Sequence, residues 1–500
     1  FSDSDKLSHL ENKQEYCPLI NLLTNENIKN NTTIKPKSTI DQIIERESHN
    51  IFIALVNNKK TQIFLKYSSI LDPIKYISSK YDENLCFKLP QKNIETFKKN
   101  DLPYNSAYVD SFFSYLSSIL LKDHNFLNGI DYYGSIIANQ TDFKYNIYDD
   151  LDYLCQSKEF VKNINKKFKI DESLEETFKL SKTPLKILDE IVELDNIINL
   201  NNTSPTNYLN NINSKPSEEI FNITQSNSVI EIESDKESNS DSEVDMEVFS
   251  SSDNESVTSE ESNEEPIYIY IKHFPVNTIF LEKCEDTLDE VMMNNNIEDG
   301  EWEAIFMQII MSLLTYQKTL HLTHNDLHTN NIMYINTDKK YLYYCYNNKL
   351  YRVPTFGKIW KIIDFGRAIY EINNVRIASD SFFENEDAYS QYNCEPFLNN
   401  KKTVIEPNYS FDLCRLGCSL YDFFIDNPEE TELDDIQKLV IEWCQDDNKK
   451  NILYKKNGDE RYPDFKLYKM IARLVHNHTP ERQLEKSIFK QFLYNKKKIP

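Results

Sequence analysis

Between Glu231 and Glu265 the chain carries fourteen acidic residues against a single Lys, a net of −13 in a protein whose total is −24. From about residue 200 onward, Asn and Ser fill most of the remainder. Such a stretch buries too little apolar surface to offset the entropy of ordering it. Residues 200–265 are therefore expected to form a disordered insert between two folded segments, belonging to the core of neither. A net charge this negative also argues against nucleic acid as a partner.

Glycine is the second constraint. There are seven in 500 residues, and the first is Gly129. No G-x-G-x-x-G or G-x-x-x-x-G-K-[ST] loop can be written anywhere in the chain, so no glycine-rich phosphate cradle is available. The nine cysteines, from Cys17 to Cys444, are scattered and include no C-x-x-C pair. They are expected to be reduced thiols inside a cell, not a disulfide framework or a zinc site. The longest mostly apolar run, Ala304 to Leu314, is too short for a bilayer, which needs about 20 residues. No signal peptide opens the chain, although it begins with Phe. A soluble, cytoplasmic protein with no membrane contact is the expectation.

Periodicity divides the rest. Residues 1–50 are polar with weak patterning and are expected to be a loose extension. IFIALV-NNKK-TQIFLKYS (51–68) alternates on both sides of a polar break, which predicts a β-hairpin with Lys66 near its end. SAYVDSFFSYLSSILL (106–121) has the three-and-four spacing of an amphipathic helix. GIDYYGSIIA (129–138), IYIYI and TIFLEKC (278–284) are strand-like. A helical pattern follows from 150 to about 200, including LKILDEIVEL. Thr287 and Glu290 have capping-box spacing. Helices are predicted over 301–317, 410–424 and through 430–494. Strands first and helices after is the α+β order. The domain reading is an N-terminal lobe over 51–199, the insert, the last strands and a connecting hinge over 266–286, and a helical lobe over 287–500.

Phosphoryl transfer needs few groups: a carboxylate to orient and deprotonate the attacking hydroxyl, oxygen ligands for Mg²⁺, and a cation on the phosphates. The chain offers them in order. Asp326 lies in H-N-D-L-H-T-N-N with Asn331 five residues on. Asp364 lies in I-I-D-F-G, Lys66 ends a strand upstream, and Asp412 lies in D-L-C-R-L-G. Each alone is weak. D-F-G occurs by chance, and a strand lysine is ordinarily a solvated one. The joint order and spacing carry the argument.

Residues 278–331, 359–369 and 410–424 resemble the hinge, catalytic loop, metal-binding motif and central helix of eukaryotic-type protein kinases. HTPERQLEKSIFKQF resembles the family's last helices, with Arg482 at its arginine. FGKIWKIIDFGRAIY and NGDERYPDFKLYKMIARLVHNHTP are similar to the divergent kinase-like proteins of giant cytoplasmic DNA viruses. The resemblance implies a two-lobed kinase fold, ATP and Mg²⁺, and transfer to Ser or Thr of proteins, in a host cytoplasm or a virion. It makes Asp326 the base, Asn331 and Asp364 the metal ligands, and Lys66 the phosphate partner. Asp412 and His324 become supports of the loop. Leu281 becomes the gatekeeper, with the backbone of Glu282 and Cys284 meeting adenine.

The departures are specific. The glycine loop is missing. No clear helix glutamate partners Lys66. Asp110 is the candidate, one methylene shorter, though an acid near a helix start is favoured by the dipole alone. Asn325 replaces the arginine before the catalytic Asp, so activation-loop phosphorylation is not expected to be the switch. His328 replaces a lysine, and D-L-H-x-x-N also resembles small-molecule kinases. A pseudokinase scaffold is the third reading. Within the insert, Ser234, Ser238, Ser242, Ser250 and Ser252 each have an acid three residues later, which suggests a phosphorylated tether and acidic Ser-rich substrates. Val229-Ile230-Glu231-Ile232 resembles a SUMO-interacting strand.

Overall fold

Two short edge strands, β1 (Leu10–Gln14) and β2 (Ile40–Arg46), come from the residues expected to be a loose extension. Leu10 and Ile43 are their only buried positions. Edge strands can stay polar because one side faces solvent, and this removes the alternation that would reveal them. The computed structural model describes residues 5–24, 34–91, 95–148, 150–170, 266–294, 297–298, 300–425 and 432–494. The acidic insert, its serines, Val229–Ile232 and the 185–194 pattern lie outside the described residues.

The predicted hairpin is β3 (Ile51–Val56) and β4 (Lys59–Ser69). Asn57 and Asn58 close it at φ 49° and 63°. Asparagine tolerates this left-handed region, so a two-residue turn suffices, and Lys59 and Lys60 join the strand. Helix α1 (Ser106–His124) follows, capped by the Asn105 side chain on the Ala107 amide. Then come β5 (Tyr132–Asn146), β6 (Phe168–Ile170) and β7 (Tyr268–Glu282). The sheet order is β1-β5-β7-β4-β3-β2, with β6 also on β7. All its pairings are antiparallel. The two strands expected over 266–284 are one strand, β7. Pro275 breaks the sequence pattern, but its carbonyl is taken by the Ile70 amide at 3.1 Å and the ladder continues through it.

The second half is mostly helical. α2 (Leu288–Met293) carries the predicted capping box of Thr287 and Glu290. α3 (Glu301–Leu320) is buried over most of its length. β8 (Ile332–Asn336) and β11 (Lys358–Ile362) pair antiparallel, flanking the hairpin of β9 (Tyr341–Tyr346) and β10 (Lys349–Pro354). β12 (Ile369–Ile372) and β13 (Val375–Ala378) form a further antiparallel pair. α4 (Phe411–Phe424), α5 (Asp435–Trp443), α6 (Lys466–Leu474) and α7 (Pro480–Gln483) complete the larger pieces. Residues 444–465, expected to be helical, are irregular. Asp446 and Asn451 side chains take the amides of Asn448, Lys450, Leu453 and Tyr454 there, which competes with a helical ladder.

All the described elements fall in one unit drawn from residues 1–175 and 250–500. The fold is mixed α+β, an antiparallel sheet with helices. Among the described residues no helix is long and apolar enough to cross a membrane.

Candidate functional site

Asp412, in the first turn of α4, is fully buried. Its two carboxylate oxygens accept the backbone amides of His324 at 3.0 Å and Asn325 at 2.9 Å. Buried amides must be paired, so this one side chain fixes the loop that carries Asp326. Burial raises the Asp412 carboxyl, against the pull of His324 and those two amides. Asn325 sits at φ 68°. Its amide nitrogen donates to the carbonyls of Thr323 and Arg367, and its oxygen accepts from the Tyr392 hydroxyl at 2.7 Å. A neutral, buried knot thus stands where the resemblance implies an arginine. His324 donates from Nε2 to the Ile363 carbonyl at 2.9 Å and accepts the Asp326 amide on Nδ1 at 3.3 Å.

Asp326 is half-buried at the end of this scaffold. Oδ1 accepts the Tyr468 hydroxyl at 2.8 Å, and the Arg367 guanidinium lies 3.9 Å from Oδ2. Burial would raise its carboxyl, but the guanidiniums of Arg367 and Arg415 and the Tyr468 hydrogen bond outweigh it and hold it below the ordinary value. It is an ionised acceptor at neutral pH, as a base must be. His328 is pushed down to about 4, chiefly by burial, and is neutral. It contributes no cation to the site.

Asn331 closes the loop. Its amide nitrogen donates to the Asp326 carbonyl at 2.9 Å and to His328 Nε2 at 3.0 Å. Both amide protons are committed, so Oδ1 is the atom left for a ligand. The Ile363 amide donates to the Asn331 carbonyl at 3.0 Å, which ties Asp364 to the same loop. Asp364 lies at φ 62° just beyond β11. Its partial burial works against ionisation, yet the Lys66 ammonium at 2.8 Å holds its carboxyl below the ordinary carboxylate value. Its side chain is 44% exposed. A carboxylate and an amide oxygen are hard donors that fit Mg²⁺. Among the described residues no group of three or more His, Cys, Asp or Glu could hold a metal by itself.

Lys66 faces the same side of the sheet as Ile279 and Leu281, because cross-strand partners share a face. Its ammonium is 2.7 Å from Asp110 Oδ2 and 2.8 Å from Asp364 Oδ1. Burial acts against its charge, but the two carboxylates prevail and raise its pKa above the ordinary lysine value. Asp110 projects from α1, and its Oδ1 also takes the Phe365 amide at 2.9 Å. A dipole-only role for Asp110 does not account for these contacts. Phe365 is buried against Phe113, ring centres 4.3 Å apart. Asp110 thus links helix, strand lysine and D-F-G segment.

At the end of β7, Leu281 is buried and Glu282 has a structural task. Its Oε1 accepts the Asp131 amide at 2.7 Å and the Lys361 ammonium at 2.6 Å. Lys361 is 1% exposed and also donates to the Gly129 carbonyl. Burial pushes the Cys284 thiol up to about 12, so it is an inert side chain. The turn joining β2 to β3, Glu47 to Asn50, contains no glycine. Its Glu47 and Ser48 amides both go to the Ile51 carbonyl.

The structure brings together Lys66, Asp110, His324, Asp326, Asn331, Asp364 and Asp412, linked by the bonds above. Arg482 donates to Asn477 at 2.8 Å on the surface. Sequence reasoning missed Arg367, Arg415, Lys361 and Tyr468. Arg415 had a legible signal, a guanidinium one turn past Asp412 in an apolar helix. Tyr468 had none, since it arrives from 142 residues away.

No protein-family model matches the chain. Over 167 residues, 32% of its length, it is 26% identical to the serine/threonine-protein kinase haspin of Mus musculus. The match covers 19% of haspin, so the chain spans about a fifth of that relative. This distant likeness points to a protein-kinase-like relationship.

Proposed function

We propose that the chain is an ATP-dependent protein kinase acting on Ser and Thr hydroxyls, with the sheet and α1 as a small lobe and α2 to α7 as a large one. One observation carries the reading. Lys66 joins Asp110 and Asp364 at 2.7 and 2.8 Å, and Asp364 is tied through Asn331 to the loop of Asp326. A phosphate-binding cation, metal-ligand oxygens and an ionised base are thereby coupled in one network.

In this reading Asp326 orients the acceptor hydroxyl and takes its proton. Asn331 Oδ1 and Asp364 hold Mg²⁺, which when bound neutralises phosphate charge. Lys66 pairs the phosphates. The Glu282 carbonyl and Cys284 amide meet adenine, with Leu281 beside them. Acidic, Ser-rich segments are the proposed acceptors, a reading suggested by the chain's own Ser-and-acid pattern over residues 231–265. Motif resemblance alone supports a place among the viral kinase-like proteins and a cytoplasmic site of action.

A second reading, a nucleotide-binding scaffold without transfer, is favoured by the Glu47–Asn50 turn, whose Glu47 and Ser48 amides are already spent. Thermal melting with Mg·ATP tests the binding common to both. A rise in melting temperature that is lost in Lys66→Ala and in Asp364→Asn supports the site. An unchanged melt at millimolar nucleotide contradicts it.

A further inference from the structure

We propose that Asp380, with Lys99 as its counter-ion, is a positioning residue for Lys66: it holds the start of α1 so that Asp110 meets the lysine. The inference rests on the kinase reading for what that lysine does, and adds the group that places it.

Asp380 lies two residues past β13 and is 3% exposed. Its Oδ1 accepts the amide of Ser106, the first residue of α1, at 2.9 Å. Its own amide donates to the Tyr104 carbonyl at 2.6 Å. The Lys99 ammonium lies 3.3 Å from Oδ2 and 3.1 Å from a Glu386 oxygen. Asn105 takes the Ala107 amide, and Asp380 takes the one before it. A carboxylate at this end of a helix is favoured by the dipole.

Ser106 and Asp110 are four residues apart, so they share one face of α1. Asp380 therefore grips the helix one turn before the residue that holds Lys66 at 2.7 Å and the Phe365 amide at 2.9 Å. The bonds close a ring. The Ala368 amide donates to the Phe365 carbonyl at 3.0 Å, and the Ser379 amide donates to the Ala368 carbonyl at 3.2 Å. Asp380 is next in the chain. α1 is held at two points, Ser106 and Asp110, by two parts of the segment after β11, and those two parts are bonded to each other.

Stability alone is a weak reason for this pair. Burial raises the Asp380 carboxyl, against the pull of Lys99 and the Ser106 amide. Desolvating two charges offsets much of their attraction, so a buried ion pair adds little to stability. What this one adds is a fixed start for α1.

The test is competitive acetylation of the full, folded chain by trace acetic anhydride without nucleotide. Peptide mapping by mass spectrometry compares Lys66 with the exposed Lys59 of the same strand. Only the deprotonated amine reacts, so the Lys66-to-Lys59 ratio reads how firmly the carboxylates hold Lys66. Asp380→Asn is expected to raise that ratio about tenfold, the factor that one pKa unit gives. Glu386→Gln removes the other carboxylate on Lys99 and is expected to leave the ratio unchanged. An unchanged ratio in folded Asp380→Asn, or an equal rise in Glu386→Gln, overturns the proposal. If Asp380→Asn does not melt cooperatively, Lys99→Gln is read in its place, with a rise of about threefold, half a pKa unit, expected and no rise overturning the proposal. Phosphoryl transfer is followed in the same chains. The expected rise in ratio beside a wild type that transfers no phosphate removes the kinase reading and leaves the positioning of Lys66 standing. An unchanged ratio beside active wild type does the reverse.

Discussion

The Lys66 ammonium lies 2.7 Å from a carboxylate oxygen of Asp110. That carboxylate is 3% exposed, and its other oxygen holds the Phe365 amide. The pair therefore sets where the lysine points and where the D-F-G segment begins. Asp110→Asn keeps the shape and removes the charge. Phosphoryl transfer is expected to fall by about a hundredfold, the scale of losing one placed electrostatic group. Asp110→Glu is not expected to rescue it, since an added methylene in this buried slot costs about 1–3 kcal/mol. Transfer rates and melting temperatures of the two variants check this.

Asp412→Ala leaves the amides of His324 and Asn325 without acceptors in a dry interior. Each is expected to cost about 1–3 kcal/mol, read as a lower denaturant midpoint at unchanged slope. Transfer is lost with it, because the Asp326 loop hangs from those two bonds.

His328 makes stability depend on pH. Its pKa is about 4 when folded against an ordinary 6.5, so the unfolded chain binds more protons between those values. The stabilisation is present above pH 6.5 and is lost as pH falls toward 4. The loss is on the order of 3 kcal/mol. His9 is lowered in the same window, so the comparison is wild type with His328→Gln. The variant is expected to lose less stability between pH 7 and pH 4 in parallel urea titrations. Equal losses would clear His328 of the effect.

The Lys361–Glu282 pair closes the end of β7. Lys361→Met strips the partner from a mostly buried carboxylate at an expected cost of about 3 kcal/mol. Adding Glu282→Gln removes the stranded charge, so the double variant is expected to be more stable than Lys361→Met alone. Urea unfolding of the four chains completes the cycle.

Much of the site was legible because its chemistry is local in sequence. Asp326 and Asn331 share one loop, Asp364 ends a strand, and Lys66 ends an alternating run. The capping box at Thr287 was equally local. What escaped came from elsewhere. β1 and β2 are edge strands whose polar faces erase alternation. Pro275 made β7 look like two strands. Residues 444–465 carry Asp and Asn side chains that take backbone amides and so suppress a helix that composition permits. Tyr468 and Lys361 gain their roles only through tertiary contacts, Tyr468 with Asp326 and Lys361 with Glu282 and the Gly129 carbonyl. Asp110 lay between the two cases. Its residue type was visible, but its partner depended on where α1 packs.

The most direct test is transfer of labelled phosphate from γ-labelled ATP with Mg²⁺, comparing wild type with Asp326→Asn. The account predicts label on protein, either the chain itself or an added acidic Ser-rich substrate, and its loss in the variant. Equal label in both would contradict Asp326 as the base. No label in either, from chains that melt cooperatively, would contradict phosphoryl transfer altogether.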